Sequence, residues 1–354
     1  MRSYFPLPLL SELLGDAEIE AWFDPRAEIA AMLAFEKALA EAEASEGVIT
    51  ADDARAIVGA IAHFEPDLDA LAKGVAHDGV IVPELVRQLR AAIPEPHRRH
   101  AHFGSTSQDV IDTALALRMK DVLRKIEALI HQLLLQLDSL SARDGAHRLM
   151  GHTRMQRARE ITAAQKIESW RAPLKRHLAR LHEWRPRLLT LQLGGAVGNR
   201  AELGDHAQKV ADLMAAALDL NHAAEAWHTQ RDAIVECGQW LSLVCGHLGK
   251  IGVDITLMAQ NELAEVQLAA GGGSSAMPEK NNPVKAEILV TLARYAATLA
   301  GGLHHSLVHE NERSGAAWTL EWMLLPPLCI TTGAALRNAS ALLADIASIG
   351  VARG

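Results

Sequence analysis

A run of 34 residues without glycine or proline, at positions 110–143, most limits the folds open to this chain. Its apolar residues recur at the spacing of a helix. If the whole run is helical, it extends for roughly 50 Å at about 1.5 Å per residue. A helix of that length needs partners to pack against. The run therefore predicts a bundle of long helices.

Helical patterns recur after residue 150 and could supply those partners. Pro173 is expected to kink the first of them, and Pro326 with Pro327 to interrupt the last. Strand signals are weak, because apolar residues fall at helical spacing and no Asn-Gly or Asp-Gly turn joins alternating segments. The sequence therefore predicts an all-α fold. The patterns cover residues 155–184, 207–218, 231–270, 283–311 and 318–349.

The pattern at 231–270 is unusual in containing four glycines, each of which costs up to about 1 kcal/mol against alanine inside a helix. Three of them, Gly246, Gly249 and Gly252, recur every third residue. This spacing predicts a helix face against which another helix packs backbone to backbone.

Shorter helical patterns precede residue 97, at 27–46, 51–62 and 80–93. Pro66 and residues 74–77 separate the last two patterns, and Pro94 and Pro96 end the region. We predict a small helical N-terminal domain at 1–97 and a central long-helix bundle at 98–320. Residues 321–354 would form a final bundle helix and a short C-terminal stub.

Composition limits the class of protein and its compartment. Apolar residues make up 49% of the chain and aromatic residues only 4%, which favours a core of closely packed aliphatic helices. A net charge of −8 argues against a nucleic-acid-binding surface. Three scattered cysteines fit neither a disulfide framework nor a zinc cluster and are typical of a reducing cytosol. With no secretory signal and no uncharged run of about 20 residues, we expect a soluble cytoplasmic protein without a membrane span.

The segment at residues 271–283, Gly-Gly-Gly-Ser-Ser-Ala-Met-Pro-Glu-Lys-Asn-Asn-Pro, is the most distinctive polar stretch. Three glycines impose little limit on φ, which is typical of a mobile lid over an active site. Asn282 followed by Pro283 predicts a helix start, where backbone N–H groups favour anions. An anion-binding lid is thus indicated, and a flexible polar connector is the alternative. Glu279 and Asn281 exclude a Walker phosphate loop, and the chain has no Gly-x-Ser-x-Gly turn of a serine hydrolase.

Two further polar stretches precede helical patterns. Residues 102–109 combine three hydroxyl groups with His102 and Gln108, more than one helix cap needs, and this favours a carboxylate-binding site. Residues 151–157 contain two arginines. These could form either a solvated basic face or a bidentate grip on a carboxylate.

A third polar stretch, at residues 304–313, contains several histidines. His305 and His309 lie four residues apart and could hold a metal on one face of a helix. No His-Glu-x-x-His pattern and no obvious third ligand accompany them. We therefore expect no metal at this stretch.

Together these stretches resemble the motifs of the fumarase/aspartase superfamily. Residues 273–283 match the signature loop of that family almost position for position, residues 104–113 resemble its first motif region, and residues 151–156 its second. Residues 31–40 are similar too. The resemblance covers about nine tenths of the chain and implies a long central helical bundle. The family normally continues into a C-terminal helical domain, which we expect here to be truncated to a stub.

Within the superfamily, residues 106–115 and 309–322 look most like bacterial cycloisomerases, which close a tricarboxylate diene to a lactone. Many lyases of the family have a histidine at the position of Arg154, where it would help protonate a nitrogen leaving group. A carboxylate, with a pKa near 4, needs no such acid. Arg154 therefore favours a cycloisomerase, and an argininosuccinate- or adenylosuccinate-type lyase is the alternative. A catalytically silent scaffold, such as the lens crystallins of this family, is disfavoured by the intact signature loop.

The resemblance also implies how the motifs act. Ser274 exchanges a proton at the carbon alpha to a substrate carboxylate, and Lys280 and Asn282 hold the enediolate-like intermediate. Loop N–H groups and Lys280 would stabilise the serine alkoxide. The family further implies a small polycarboxylate substrate, no metal or organic cofactor, and a homotetramer in which three subunits share each active site. Residues expected to bind substrate are His102, Ser105, Thr106, Ser107, Gln108, Thr153, Arg154, Gln156, Ser275, Met277 and Arg313.

Overall fold

In the computed structural model, which describes residues 8–222 and 224–352, six helices precede the run at 110–143. The outer ends of the predicted first and last domains, residues 1–7 and 353–354, lie outside the described part. Three of the helices match the predicted patterns at 27–46, 51–62 and 80–93 to within two residues at each end. The six are α1 (Ser11–Leu14), α2 (Ala17–Ala21), α3 (Pro25–Ser45), α4 (Ala51–Ala62), α5 (Leu68–Asp78) and α6 (Val82–Ala92).

Helix α5 covers residues 74–77, which we predicted to separate two helices. At its start the Asp67 carboxylate accepts hydrogen bonds from the backbone N–H groups of Asp69 and Ala70, both at 3.0 Å. At its end Gly79 adopts the left-handed conformation, with φ of 74°. These two caps stabilise a helix that continues across Gly74 in spite of the low helix propensity of glycine.

Five long helices form the predicted bundle: α7 (Ser107–Asp144), α8 (Ala163–Leu188), α10 (Asp232–Met258), α11 (Val284–Leu303) and α12 (Gly315–Ala344). The first has 38 residues and is roughly 57 Å long at about 1.5 Å per residue. It packs against α8 and α12, while α10 lies among α8, α11 and α12. The shorter α9 (Ala207–Leu218) has its predicted bounds and packs on α3. The division of the chain at residues 97 and 320 stays a prediction.

Three two-stranded sheets, which the sequence did not predict, connect the helices in the described part of the chain. They lie at the ends of the bundle and leave the all-α class unchanged, because helices make up most of the structure. Strands β1 (Arg148–Thr153) and β2 (Gln156–Thr162) form an antiparallel hairpin, β3 (Thr190–Leu191) and β4 (Asn221–His222) are parallel, and β5 (Val266–Leu268) and β6 (Ile346–Ile349) are antiparallel.

Three predicted helix ends are wrong, two of them because of these strands. Helix α8 begins at Ala163 rather than at 155, because the hairpin occupies the preceding residues and Thr162 and Gln165 form a capping box. Helix α10 ends at Met258 rather than at 270, and its continuation pairs as β5 with β6. Helix α11 ends at Leu303 rather than at 311 and is followed by a short 3-10 turn.

Helix α12 is continuous through Pro326 and Pro327, so the predicted interruption is wrong. Each proline removes a helix hydrogen bond and costs about 3 kcal/mol in a helix interior. The neighbouring Leu325 and Leu328 are fully buried in the bundle, and their packing offsets this cost. Helix α8 also continues through Pro173, where the expected kink stays a prediction.

Helices α10 and α11 pack tightly against each other at two of the three regularly spaced glycines. A Cβ atom at Gly252 would lie 2.4 Å from the carbonyl oxygen of Ala286, and one at Gly249 would lie 2.5 Å from the Cβ of Ala293. The predicted backbone-to-backbone packing is confirmed at these positions. It is wrong for Gly246, where a Cβ would meet no described atom within 4 Å.

Helix α10 is also long and apolar enough to cross a membrane by length and composition alone. Half of its most apolar stretch is buried, and three bundle helices surround it. Burial in the core therefore accounts for its apolar character.

The bundle has two ends, which we call the Ser107 end and the Asp144 end after the first and last residues of α7. At the Ser107 end, the backbone N–H of Gln192, just beyond α8, donates to Thr113 Oγ1 at 3.0 Å. Helices α10 and α12 also begin at this end, because residues at their starts bond to the first turns of α7.

At the Asp144 end, the hairpin and the β5–β6 pair lie side by side. The backbone N–H of Ile349 in β6 donates to Asp144 Oδ2 at 3.0 Å. The backbone N–H of Met150 in the hairpin donates to Glu265 Oε1, also at 3.0 Å, immediately before β5. The hairpin and the segment that leads to residues 271–283 therefore share this end of the molecule.

Candidate active site

Asp109 organises the Ser107 end from a fully buried position. Its Oδ2 accepts hydrogen bonds from the backbone N–H groups of Thr106 at 3.0 Å and Gly195 at 2.8 Å. Its Oδ1 accepts from the N–H of Gly194 and contacts His228 Nε2, both at 2.8 Å. These four contacts fix the start of α7, and with it the predicted carboxylate-binding stretch, against the loop at 194–195.

Gln108 is fully buried, and its amide is bonded to protein groups on both sides. Its Nε2 donates to the His228 carbonyl oxygen at 2.7 Å and to Asp112 Oδ2 at 3.2 Å. Its Oε1 accepts from Arg313 Nε at 3.1 Å. The exposed Arg313 guanidinium also donates from Nη2 to the Ala196 carbonyl at 3.2 Å. Gln108 thus orients Arg313, whose remaining donors have no partner in the described part of the chain and are available to an anion.

Ser107 and Arg313 line an open cavity of about 860 Å³. The turn between α5 and α6 contributes Val80, and α12 contributes Trp318 and Trp322. The two tryptophan rings pack edge to face with centroids 4.6 Å apart. A hydroxyl and a guanidinium beside an aromatic wall suit a small unsaturated carboxylate.

A buried ion-pair network, which the sequence did not reveal, lies beneath this cavity. Arg231 donates from Nη1 to Asp112 Oδ2 at 2.7 Å and from Nη2 to Glu321 Oε1 at 2.6 Å, with all three side chains fully buried. Trp318 Nε1 donates to Asp112 Oδ1 at 3.1 Å. Burial raises the pKa of Glu321, although the charge of Arg231 opposes this effect. The network joins α7, α10 and α12 and supports the residues above it.

His102 and Ser105 lie beside a second buried carboxylate. His102 has φ of 63°, and its Nδ1 lies 2.6 Å from Oε1 of Glu36 in α3 and 3.0 Å from Ser105 Oγ. Sequence reasoning singled out His102 and Ser105 but not Glu36.

At the Asp144 end, Thr153, Arg154 and Gln156 lie at the exposed tip of the β1–β2 hairpin. Arg154 and Met155 form the two-residue turn with φ of 50° and 66°. Two consecutive left-handed residues are the signature of a tight hairpin turn, and they are costly for residues with a Cβ. Strained backbone of this kind clusters at functional sites. The turn presents the Arg154 side chain to solvent.

Ser274 lies in a loop whose backbone N–H groups converge on its hydroxyl. Ser274 Oγ accepts from the N–H of Met277 at 3.1 Å and of Ala276 at 3.3 Å. Two such donors would stabilise negative charge on Oγ. Lys280 is exposed in the same loop, as are Ser275 and Met277.

The predicted helix start at Asn282 is wrong, because α11 begins only at Val284. Asn282 instead pairs with Gly272, with N–H to O distances of 2.8 and 2.9 Å in the two directions. Its Nδ2 donates to the Gly273 carbonyl at 3.2 Å, and Asn281 Nδ2 ties the loop to β5. These bonds close the base of the loop and draw the Asn282 side chain away from the helix start.

The structure thus brings the predicted site residues together as two groups. The first group lies at the Ser107 end and the second at the Asp144 end, so the roughly 57 Å length of α7 separates them. The first consists of His102, Ser105, Thr106, Ser107, Gln108 and Arg313, and the second of Thr153, Arg154, Gln156, Ser274, Ser275, Met277, Lys280 and Asn282.

His305 and His309 lie between α11 and α12. Both ring nitrogens of His309 are buried with no hydrogen-bond partner among the described residues, and burial, more than the charge of Arg231, lowers the pKa of His309. Within residues 8–222 and 224–352, no group of three His, Cys, Asp or Glu side chains is placed to hold a metal ion.

The sequence matches one family model and is similar to several named proteins. Residues 16–297 match the sequence model of a lyase family. A 3-carboxy-cis,cis-muconate cycloisomerase of Pseudomonas aeruginosa is 40% identical over 334 residues, which cover 92% of this chain and 72% of the relative. The same-named protein of Pseudomonas putida is 36% identical, with coverage of 96% and 80%.

Solved structures agree with the sequence comparison. The crystal structure of the 3-carboxy-cis,cis-muconate lactonizing enzyme from Pseudomonas putida superposes with a TM-score of 0.89 at 37% identity, covering 97% of this chain and 77% of that one. The family match spans most of the chain, and the fold and the sequence similarity extend beyond it. The chain therefore belongs to this lyase family, within the fumarase/aspartase superfamily.

Proposed function

We propose that the chain is a cycloisomerase that interconverts 3-carboxy-cis,cis-muconate and 4-carboxymuconolactone, a step of protocatechuate catabolism in the β-ketoadipate pathway. Four relatives of that name, at 36–40% identity, support the proposal. The observation that carries it is Arg154 at the exposed hairpin tip, where many lyases of the superfamily have a histidine. A guanidinium holds a carboxylate by two charge-assisted hydrogen bonds but cannot donate a proton to a leaving amine.

Ser274 would move the proton. In the lactone-forming direction a substrate carboxylate oxygen adds to one carbon of a double bond, and the Ser274 hydroxyl protonates the neighbouring carbon, alpha to another carboxylate. In reverse, the Ser274 alkoxide removes that proton and the C–O bond breaks, with the carboxylate leaving. The N–H groups of Ala276 and Met277, which already point at Oγ, would stabilise the alkoxide. Lys280 and Asn282 would hold the enediolate-like intermediate.

Such a site requires more than one subunit, because α7 keeps Arg313 and Ser107 far from Ser274 and Arg154 within one chain. We propose a homotetramer in which the Ser107 end of one subunit meets the hairpin and the loop of others. Exposed apolar side chains on the bundle support an assembly of this kind. They include Leu135, Leu243, Val253 and Met323, which are 68%, 53%, 42% and 66% exposed.

The substrate is a small carboxylate, and we propose a cytoplasmic location. Cys237, Cys245 and Cys329 are all buried free thiols, which fits a reducing compartment.

Incubation with 3-carboxy-cis,cis-muconate tests the proposed reaction. We expect the ultraviolet absorbance of the conjugated diene to fall as the lactone forms, without added metal or cofactor. Fumarate release from argininosuccinate or adenylosuccinate, with no lactone formation, would instead assign the chain to another lyase of the superfamily.

A further inference from the structure

Glu36 is a buried carboxylate whose described hydrogen-bond partner is His102. Only 2% of Glu36 is exposed, its Oε1 lies 2.6 Å from His102 Nδ1, and its Oε2 has no partner among the described residues. Ser105 Oγ, which donates to the His102 carbonyl at 3.4 Å, lies 3.0 Å from the same Nδ1. Two acceptors face Nδ1, so this nitrogen carries a hydrogen.

The surrounding charges decide whether the ring is neutral or cationic. His102 faces Glu36 on α3, Arg90 on α6 and Asp109 on α7. Burial lowers the pKa of His102, but the charge and hydrogen bond of Glu36, helped by Asp109, outweigh burial and Arg90, and the pKa is raised. Glu43, two turns along α3, has a pKa of about 9 and is neutral at pH 7. The raised pKa of His102 and its 2.6 Å contact with Glu36 Oε1 both favour the imidazolium form of the ring.

The other ring nitrogen of His102 remains available. Nε2 has no hydrogen-bond partner in the described part of the chain. It is not fully buried, and 15% of the His102 side chain is exposed. In the neutral ring with hydrogen on Nδ1, Nε2 would present a lone pair and repel a carboxylate. In the imidazolium it presents an N–H and attracts one.

We propose that Glu36 is a positioning residue that fixes His102 as an imidazolium, whose exposed Nε2–H donates to a carboxylate of the substrate. The buried carboxylate of Glu36 would thus keep His102 positively charged at the Ser107 end. The identity of the bound anion rests on the proposed function, whereas the protonation of His102 by Glu36 does not.

Histidine NMR titration tests the pair directly. We expect the His102 resonance, assigned by its loss in His102→Gln, to titrate above pH 6.5 in the wild type and at lower pH in Glu36→Gln. Glu43→Gln is the matched control, because it changes an equally buried carboxyl on the same helix without touching His102. An unchanged His102 titration in Glu36→Gln would overturn the proposal.

Kinetics test the consequence for substrate binding. Glu36→Gln should raise KM for 3-carboxymuconate about ten- to a hundredfold, as expected for loss of one charge-assisted hydrogen bond, with a smaller change in kcat. Since the imidazolium is lost as pH rises through the His102 pKa, the alkaline fall of kcat/KM should begin at lower pH in Glu36→Gln. Glu43→Gln should match the wild type.

Two further results distinguish a failure of the Glu36–His102 proposal from a failure of the proposed function. If Glu36→Gln does not fold, Glu36→Asp is the variant to use, because it keeps the negative charge. Glu36→Asp should raise KM but leave the alkaline fall of kcat/KM at the wild-type pH. A shift of that fall in Glu36→Asp would contradict the proposal. If the wild type does not convert 3-carboxymuconate, the proposed function fails. The NMR titration then still confirms or refutes the Glu36–His102 pair.

Discussion

Glu43 is buried in α3 with neither carboxylate oxygen bonded to any described group. Burial, and then the nearby charge of Glu36, raises its pKa from 4.5 to about 9. The folded protein therefore holds this proton more tightly than the unfolded chain does. The contribution of this proton to the free energy of unfolding is fully present below pH 4.5 and is lost as the pH rises toward 9.

Replacing Glu43 with glutamine should remove this pH dependence. We expect Glu43→Gln to be more stable than the wild type at pH 8.5 by more than about 1 kcal/mol, since each pKa unit is worth about 1.4 kcal/mol. At pH 5 the two should differ little. Thermal unfolding at both pH values measures the effect, and Glu41→Gln, on the exposed face of the same helix, is the control. An equal gain at both pH values would contradict the assigned pKa.

Arg154→Ala should lower kcat/KM about a hundredfold, mainly through KM, because it removes a charge-assisted grip on the substrate carboxylate. Arg159→Ala removes an equally exposed arginine from the same hairpin and should leave kcat/KM within about twofold. Steady-state kinetics with 3-carboxymuconate measures both. Similar losses in the two variants would mean that the hairpin acts through its overall charge.

Sequence reasoning singled out candidate site residues that lie in distinctive local runs, but it missed contacts between residues that are far apart in the sequence. Ser274 and Arg154 stand in motifs that can be recognised within about ten residues. Glu36 lies 66 residues from His102, and Arg231 lies 119 residues from Asp112. Glu36 lies within the run at 31–40 that resembles the family, but nothing local to Glu36 or Arg231 indicates its distant partner.

At the level of secondary-structure elements, periodicity predicted the long helices well because burial in a bundle reinforces the same spacing. It failed where tertiary contacts override local preference. Arg154 and Met155 form a hairpin turn without asparagine or glycine, and the pairing of β1 with β2 holds this conformation. Pro326 and Pro327 remain in a continuous helix because the bundle packs around them.

The close approach of α10 and α11 gives a prediction at this scale. Gly252→Ala should destabilise the protein by about 2 kcal/mol, because the new Cβ would lie 2.4 Å from the Ala286 carbonyl oxygen and force the helices apart. Gly59→Ala, in α4 with no described atom within 4 Å of its Cβ, should instead stabilise by up to about 1 kcal/mol. Chemical denaturation compares the two, and a neutral Gly252→Ala would disprove tight packing.

For the whole molecule, the sequence identified the motifs but not the distance between them. Their positions along the chain carry no information on which end of the bundle each occupies. That arrangement follows from the alternating directions of five helices, which only the structure shows. One chain therefore presents the predicted site residues as two separate groups rather than as one.

Mixing inactive variants tests whether subunits share sites. Ser274→Ala and Arg313→Ala should each lose more than about a hundredfold in kcat. After the two are unfolded and refolded together, about a quarter of sites would draw both intact residues from different subunits. We expect activity to return accordingly. Absence of recovery, or a monomer by light scattering at micromolar concentration, would argue against the shared site.

The 38-residue length of α7 limits which changes of sequence the helix can accept. Each residue inserted in a helix shifts the later part of that helix by about 1.5 Å and turns it by about 100°. In the proposed assembly this would move every hairpin out of register with the neighbouring Ser107 end. We therefore expect the proposed assembly to tolerate substitutions at exposed positions of α7 better than insertions or deletions within it.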